Sequence, residues 1–108
     1  MDVHDLADLL DRRAAAGGPY LEFLRVPDLS AGLYVLPAGA VDPQAPHGED
    51  ELYHVIRGRA VLRVADETRP VDPGASAFVA AGVPHRFEAI EEDLVVLVVF
   101  GPAEGSRP

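Results

Sequence analysis

From Tyr20 onward the chain never travels far without a turn signal, and this punctuation constrains the fold more than any other feature. Pro27-Asp28, Pro37-Ala38-Gly39, Gly48-Glu49-Asp50, Arg57-Gly58, Asp66-Glu67, Asp72-Pro73-Gly74 and Ala81-Gly82-Val83-Pro84 divide it into short runs rich in Val, Leu and aromatic residues. Gly supplies positive φ, Pro a fixed φ, and Asp side chains bond their own turns, so such clusters end regular structure. The runs between them read as strands near 20–26, 31–37, 40–46, 51–57, 59–65, 69–71, 76–80, 85–90 and 93–100. The longest apolar run, Leu94 to Phe100, is strand-sized and well short of the roughly 20 residues a membrane helix needs. Many short strands at even spacing argue for an all-β sandwich or barrel. Helical periodicity does not return after residue 17, which argues against a parallel sheet with crossover helices.

Ahead of the strands, residues 2–16 read as one helix. Asp2 is placed as the N-cap, with Asp5 three residues on. Val3, Leu6 and Leu10 share a face, and Gly17-Gly18-Pro19 stops the helix. His4 on this helix is expected in water. The expected organisation is a helix and linker over 1–19, a barrel over 20–101 and a flexible tail over 102–108, rich in Gly, Pro and Ser. At 108 residues one domain is the default, and it can hold a core without staples.

The chain has no cysteine, so disulfides, thiolate metal sites and cysteine nucleophiles are excluded. All nine basic residues are Arg, set against eighteen acids, for a net charge of −9. That balance offers no basic face for nucleic acid or for an acidic membrane surface, and favours cations. The acidic start, Met1-Asp2-Val3-His4-Asp5, is unlike a secretory signal, and a cytoplasmic location is expected.

Of the four histidines, His47 lies before the turn Gly48-Glu49-Asp50, Glu51 follows it, and His85 stands 34 residues beyond Glu51. On composition alone these are surface residues in turns. Their spacing says more. Gly39, five residues, Ala45, one residue, His47, three residues, Glu51, six residues and Gly58 form one pattern. Gly74, five residues, Ala80, Ala81, Gly82, two residues, His85, three residues and Ala89 form a second. Together they resemble the two motifs of the cupin superfamily, in order and correctly spaced. The first has Ala45 where the family has its first His. The second has Ala80 for Pro and Ala89 for Asn.

The resemblance implies a small single-domain cupin, a double-stranded β-helix or jelly-roll barrel of the conserved-barrel type with one N-terminal helix. It implies His47, Glu51 and His85 as ligands of a divalent metal: Fe(II), Zn, Mn, Ni or Cu. Alternation gives Glu51, Tyr53 and Val55 one face and Leu52, His54 and Ile56 the other, and the resemblance turns Glu51 inward. His85 and Phe87 share a face on a later strand. Tyr53, Phe87 and Glu49 are candidate pocket residues beside the metal. With Ala45 unable to coordinate, water or a swinging Glu49 would fill the fourth position; the parity of the neighbouring Gln44 points it away. Arg63 is a candidate for reaching into the barrel to bind an anion. Glu91-Glu92-Asp93 is expected as a turn facing water, and His54 as a packing residue at a sheet or subunit contact. The resemblance further implies a homodimer, for which the apolar outer face around Leu52 and Ile56 gives a motive. Two functions follow. One is a metal-dependent enzyme on a small organic molecule, an oxygenase or an isomerase. The other is a non-catalytic small-molecule- or metal-binding barrel, a sensor or accessory protein.

Overall fold

A computed structural model describes residues 1–43 and 45–107; Gln44, and with it the reading of its parity, lies outside them. One helix, α1 (Leu6–Ala16), precedes six strands: β1 (Tyr20–Val26), β2 (Leu29–Leu36), β3 (Asp50–Val64), β4 (Glu67–Val71), β5 (Ser76–Val79) and β6 (His85–Gly101). They form one antiparallel sheet in the order β1-β2-β6-β3-β4, with β5 added to β3. The all-β reading holds. No helix among the described residues is long and apolar enough to cross a membrane.

The helix begins later than the sequence implies. Asp5, not Asp2, occupies the N-cap position, with extended dihedrals and no side-chain cap bond. Val3 is left 73% exposed. The anchoring face is Leu6, Leu9 and Leu10, which packs on Leu33 and Val95 of the sheet's outer surface. Gly17 ends the helix in the left-handed conformation at φ 85°, and its N–H bonds the Arg13 carbonyl. His4 is exposed as expected, with its ring against Phe23.

Two pairs of expected strands are continuous. The runs 51–57 and 59–65 fuse into β3, and 85–90 and 93–100 into β6. The register between β3 and β6 slips three times between Val55 and Val61. These are bulges, and they re-aim the side chains on either side. In β3 the buried positions are Glu51, Tyr53 and Val55 before the slip and Ala60 and Leu62 after it. In β6 the inward buried positions are His85 and Phe87 before and Ile90, Leu94, Val96, Val98 and Phe100 after, while Val95 is buried on the outer face under α1. Gly58 makes the bulge possible: it stands at φ 91°, and a Cβ there would strike the Asp93 carbonyl. The expected turn Glu91-Glu92-Asp93 is therefore the bulged middle of β6, although its side chains do face water. Arg59 bridges Glu91 at 3.0 Å and Glu92 at 3.5 Å.

The strand expected at 40–46 does not form among its described residues. Pro43 and Pro46 carry no N–H for a ladder. A side chain replaces the ladder: buried Asp42 accepts the Tyr34 hydroxyl at 2.6 Å and the Phe87 N–H at 2.9 Å.

The tail expected to fray is fastened over residues 102–107. Ala103 is buried, and its N–H reaches the Pro27 carbonyl. The Glu104 N–H donates to the hydroxyl of Ser30, which is fully buried. Glu49 is buried too, and its two carboxylate oxygens accept the N–H groups of Gly105 and Arg107.

Candidate metal centre

Glu51 opens the inward face of β3 and His85 opens β6, while His47 sits on the loop leading into β3. Cross-strand pairing sets Glu51 between Val79 of β5 and Phe100 of β6. In this frame one ligand atom each from His47, Glu51 and His85 lies within 4.8 Å of the others.

The lone pairs decide what the cluster can hold. The Val83 carbonyl, 2.8 Å from His85 Nδ1, can only accept, so Nδ1 carries the proton and Nε2 is left bare. A backbone carbonyl in this place is the support metal-binding imidazoles commonly have. Nε2 approaches Glu51 Oε1 to 2.9 Å, with both side chains 1% exposed. A bare nitrogen and a carboxylate oxygen both only accept, so His85 Nε2 and both Glu51 oxygens are buried without a hydrogen-bond partner among the described residues. Unpartnered buried polar atoms are costly, and a shared cation would satisfy all three. The residues thus fit a divalent ion. Burial by itself would lower the His85 pKa; the Glu51 carboxylate, the Val83 carbonyl and the Asp42 charge outweigh it and hold it above the usual histidine value.

A cavity of about 120 Å³ adjoins the trio, lined by Tyr20, Tyr34, His47, Glu51, Val98, Phe100 and Glu104. Liquid water occupies about 30 Å³ per molecule, so the space suits a ligand of a few heavy atoms. Gly32 makes room for one wall, since a Cβ there would collide with the Tyr20 ring. The Tyr20 hydroxyl is buried without a hydrogen-bond partner among the described residues. Burial, followed by the charges of Glu104, Glu22 and Glu51, pushes its pKa far above the ordinary phenol value. Glu104 Oε2 lies 3.6 Å from His47 Nδ1. Burial raises the Glu104 pKa, His47 opposes this, and Glu51, Glu22 and Glu49 reinforce it.

The other sequence candidates lie apart. Tyr53 and Phe87 are core residues packed ring to ring at 4.9 Å; Tyr53 lies behind His85 with centroids 6.0 Å apart, and neither lines the cavity. Glu49 turns to the C-terminal segment and does not stand in for a ligand. Ala45 is exposed. Arg63 does not reach into the barrel: it pairs with Arg86 across the outer face, and both bond Glu88. His54 is on the outer face, 2.7 Å from the Ser76 hydroxyl. Sequence reasoning missed Tyr20, Tyr34, Asp42 and Glu104, since alternation alone did not fix the facing of β1 and β2 and nothing in a Gly/Pro tail marks a site residue.

The family model for the cupin domain matches residues 32–100. An uncharacterized protein of Streptomyces coelicolor is 50% identical over 104 residues, covering 96% of this chain and 99% of that protein. The dimethylsulfoniopropionate lyase DddQ of Ruegeria pomeroyi is 29% identical over 100 residues, 87% of this chain but 48% of the lyase, so the chain spans about half its length. Among solved structures, TT1209 from Thermus thermophilus superposes with a TM-score of 0.74 at 27% identity, covering 95% of this chain and 99% of that one.

Proposed function

The chain belongs to the cupin domain family, and from that premise we propose that it binds a divalent metal through His47, Glu51 and His85 and moves a proton on a small organic molecule. The observation that carries this reading is the set of buried, unpartnered atoms, His85 Nε2 with Glu51 Oε1 and Oε2, directed at one place. Bound there, the cation supplies Lewis acidity. The chain's own groups do the rest. Val83 fixes the His85 tautomer. Tyr20 and Glu104 set hydroxyl and carboxyl groups along the cavity wall, where they can give or accept a proton. Val98 and Phe100 give the cavity an apolar wall. Isomerisation and elimination can both use this combination, and the relative named as a lyase of a small onium acid supports the class.

A second reading has its own support. Two imidazoles and one carboxylate are the donor set of oxygen-activating non-haem Fe(II), so an oxygenase uses the same residues. We further propose that two copies pair through the outer apolar face of β3 and β5.

The test begins with metal analysis of purified wild type, His47→Ala, His85→Ala and His54→Ala. Bound metal is expected in wild type and His54→Ala. Loss of a ligand should weaken binding in the other two by more than about 100-fold. Metal that stays with His85→Ala and leaves His54→Ala would overturn the assignment. Loaded protein is then offered small carbonyl acids in deuterated water and, separately, in an oxygen electrode. Deuterium uptake supports proton transfer, oxygen uptake the oxygenase, and neither a binding role without catalysis.

A further inference from the structure

The C-terminal segment is anchored more thoroughly than a chain end requires, and its anchors converge on one residue. The Glu104 N–H is held by buried Ser30, and its carbonyl by the Arg25 guanidinium at 2.8 Å. The next N–H, that of Gly105, is held by Glu49, as is that of Arg107. Glu49 is 2% exposed and takes no part in the cavity wall, so the work of this buried carboxylate is to fix the segment. With the backbone fixed on both sides, the Glu104 side chain enters the cavity beside His47 and Glu51.

Charge makes the placement meaningful. The cavity wall carries two carboxylates, those of Glu51 and Glu104, and no Arg. Two acids facing one small space repel each other unless a cation sits between them. With neutral imidazoles, Glu51 alone leaves a divalent ion with one uncompensated positive charge; Glu104 removes it, and a neutral centre is the less costly one to bury. Ala45, where the family pattern has an imidazole, provides no donor.

We propose that residues 102–107 form a strap that delivers the Glu104 carboxylate to the edge of the metal centre, beside His47, as the second negative charge facing the cation. The proposal rests on the metal-binding reading above. It makes the strap part of the site: cation binding and strap closure are one coupled equilibrium, so each strengthens the other.

Zinc chloride and manganese chloride titrated calorimetrically into apo wild type, Glu104→Gln and His85→Ala give the first measurement. Glu104→Gln keeps the side chain's size and removes its charge, and it should weaken binding at least tenfold. Amide hydrogen exchange of wild type with and without zinc gives the second, which needs no variant to fold. Zinc should slow exchange at the N–H groups of Gly105 and Arg107. Equal affinity in Glu104→Gln and wild type, or exchange at these amides unchanged by zinc, would overturn the proposal. A wild type that binds neither metal, or His85→Ala binding as tightly as wild type, would instead remove the metal centre itself and the strap's role with it.

Discussion

The carboxylate of Asp42 takes the Tyr34 hydroxyl on one oxygen and the Phe87 N–H on the other, tying an irregular loop to β2 and β6 at once. Both donors are buried, so Asp42→Ala strands them. An unsatisfied buried group costs about 1–3 kcal/mol, and the pair should cost about 2–4 kcal/mol in urea denaturation. Burial, then the Asp42 hydrogen bond and charge, holds the Tyr34 hydroxyl far above the ordinary phenol pKa, and Tyr20 stands high as well, again with burial first. The sign follows from linkage. The folded state keeps phenolic protons that the unfolded chain releases near pH 10. The contribution to stability is therefore complete below about pH 10 and is lost as pH rises toward the folded-state values. The chain has no Trp and three Tyr, so its ultraviolet absorbance reports tyrosinate cleanly. Tyr20 and Tyr34 should ionise only as the fold is lost; ordinary titration of all three in folded protein would contradict this. At this scale the grouping of His47, Glu51 and His85 was legible because their spacing resembles the two cupin motifs; alternation alone would not have turned Glu51 inward or placed His47, which lies on a loop. Asp42 was not legible. Its acceptor role depends on Tyr34 and Phe87, one 8 and the other 45 residues away, and nothing local announces it.

Strand texture was legible in most elements, and strand continuity was not. Gly58 looks like a break, yet it lies inside β3 at φ 91°, and Ala89, read as an ordinary strand residue, stands inside β6 at φ 46°. A glycine that permits a bulge and one that ends a strand leave the same mark in sequence; only the partner strand distinguishes them. The contrast between Gly58 and Gly74 tests the point. Gly74 stands at φ 97° with nothing within 4 Å of a Cβ, so Gly74→Ala should cost about 1–2 kcal/mol of conformational strain. Gly58→Ala adds a collision with the Asp93 backbone and should cost more than about 3 kcal/mol, read as a lower thermal midpoint. Equal losses would mean that the bulge yields easily. The tail shows the opposite difficulty. Its composition reads as loose, but its N–H groups are claimed by Ser30 and Glu49 from elsewhere in the chain.

Over the whole molecule, the outer sheet face is divided. Helix α1 covers the half around Leu33, Val95 and Ile56, while Leu52 and its cross-strand partner Phe78 remain 45% and 64% exposed. The expected outer patch thus survives at Leu52 and is withdrawn at Ile56. If two copies pair there, sedimentation should give a dimer for wild type and a monomer for Phe78→Glu; a monomeric wild type would end the idea. The long strands have a consequence for the chain as a text. In β3 and β6 inward positions are odd-numbered ahead of the bulges and even-numbered beyond them, so the three register slips together change the inward parity once along each strand. A residue lost where the slip already occurs can be absorbed by straightening the strand. A residue lost anywhere else along the ladder exchanges inside for outside, and the error does not stay local. Because β6 begins at His85 and ends beside Phe100, such a slip between them would leave one wall of the centre in frame and turn the other to the solvent.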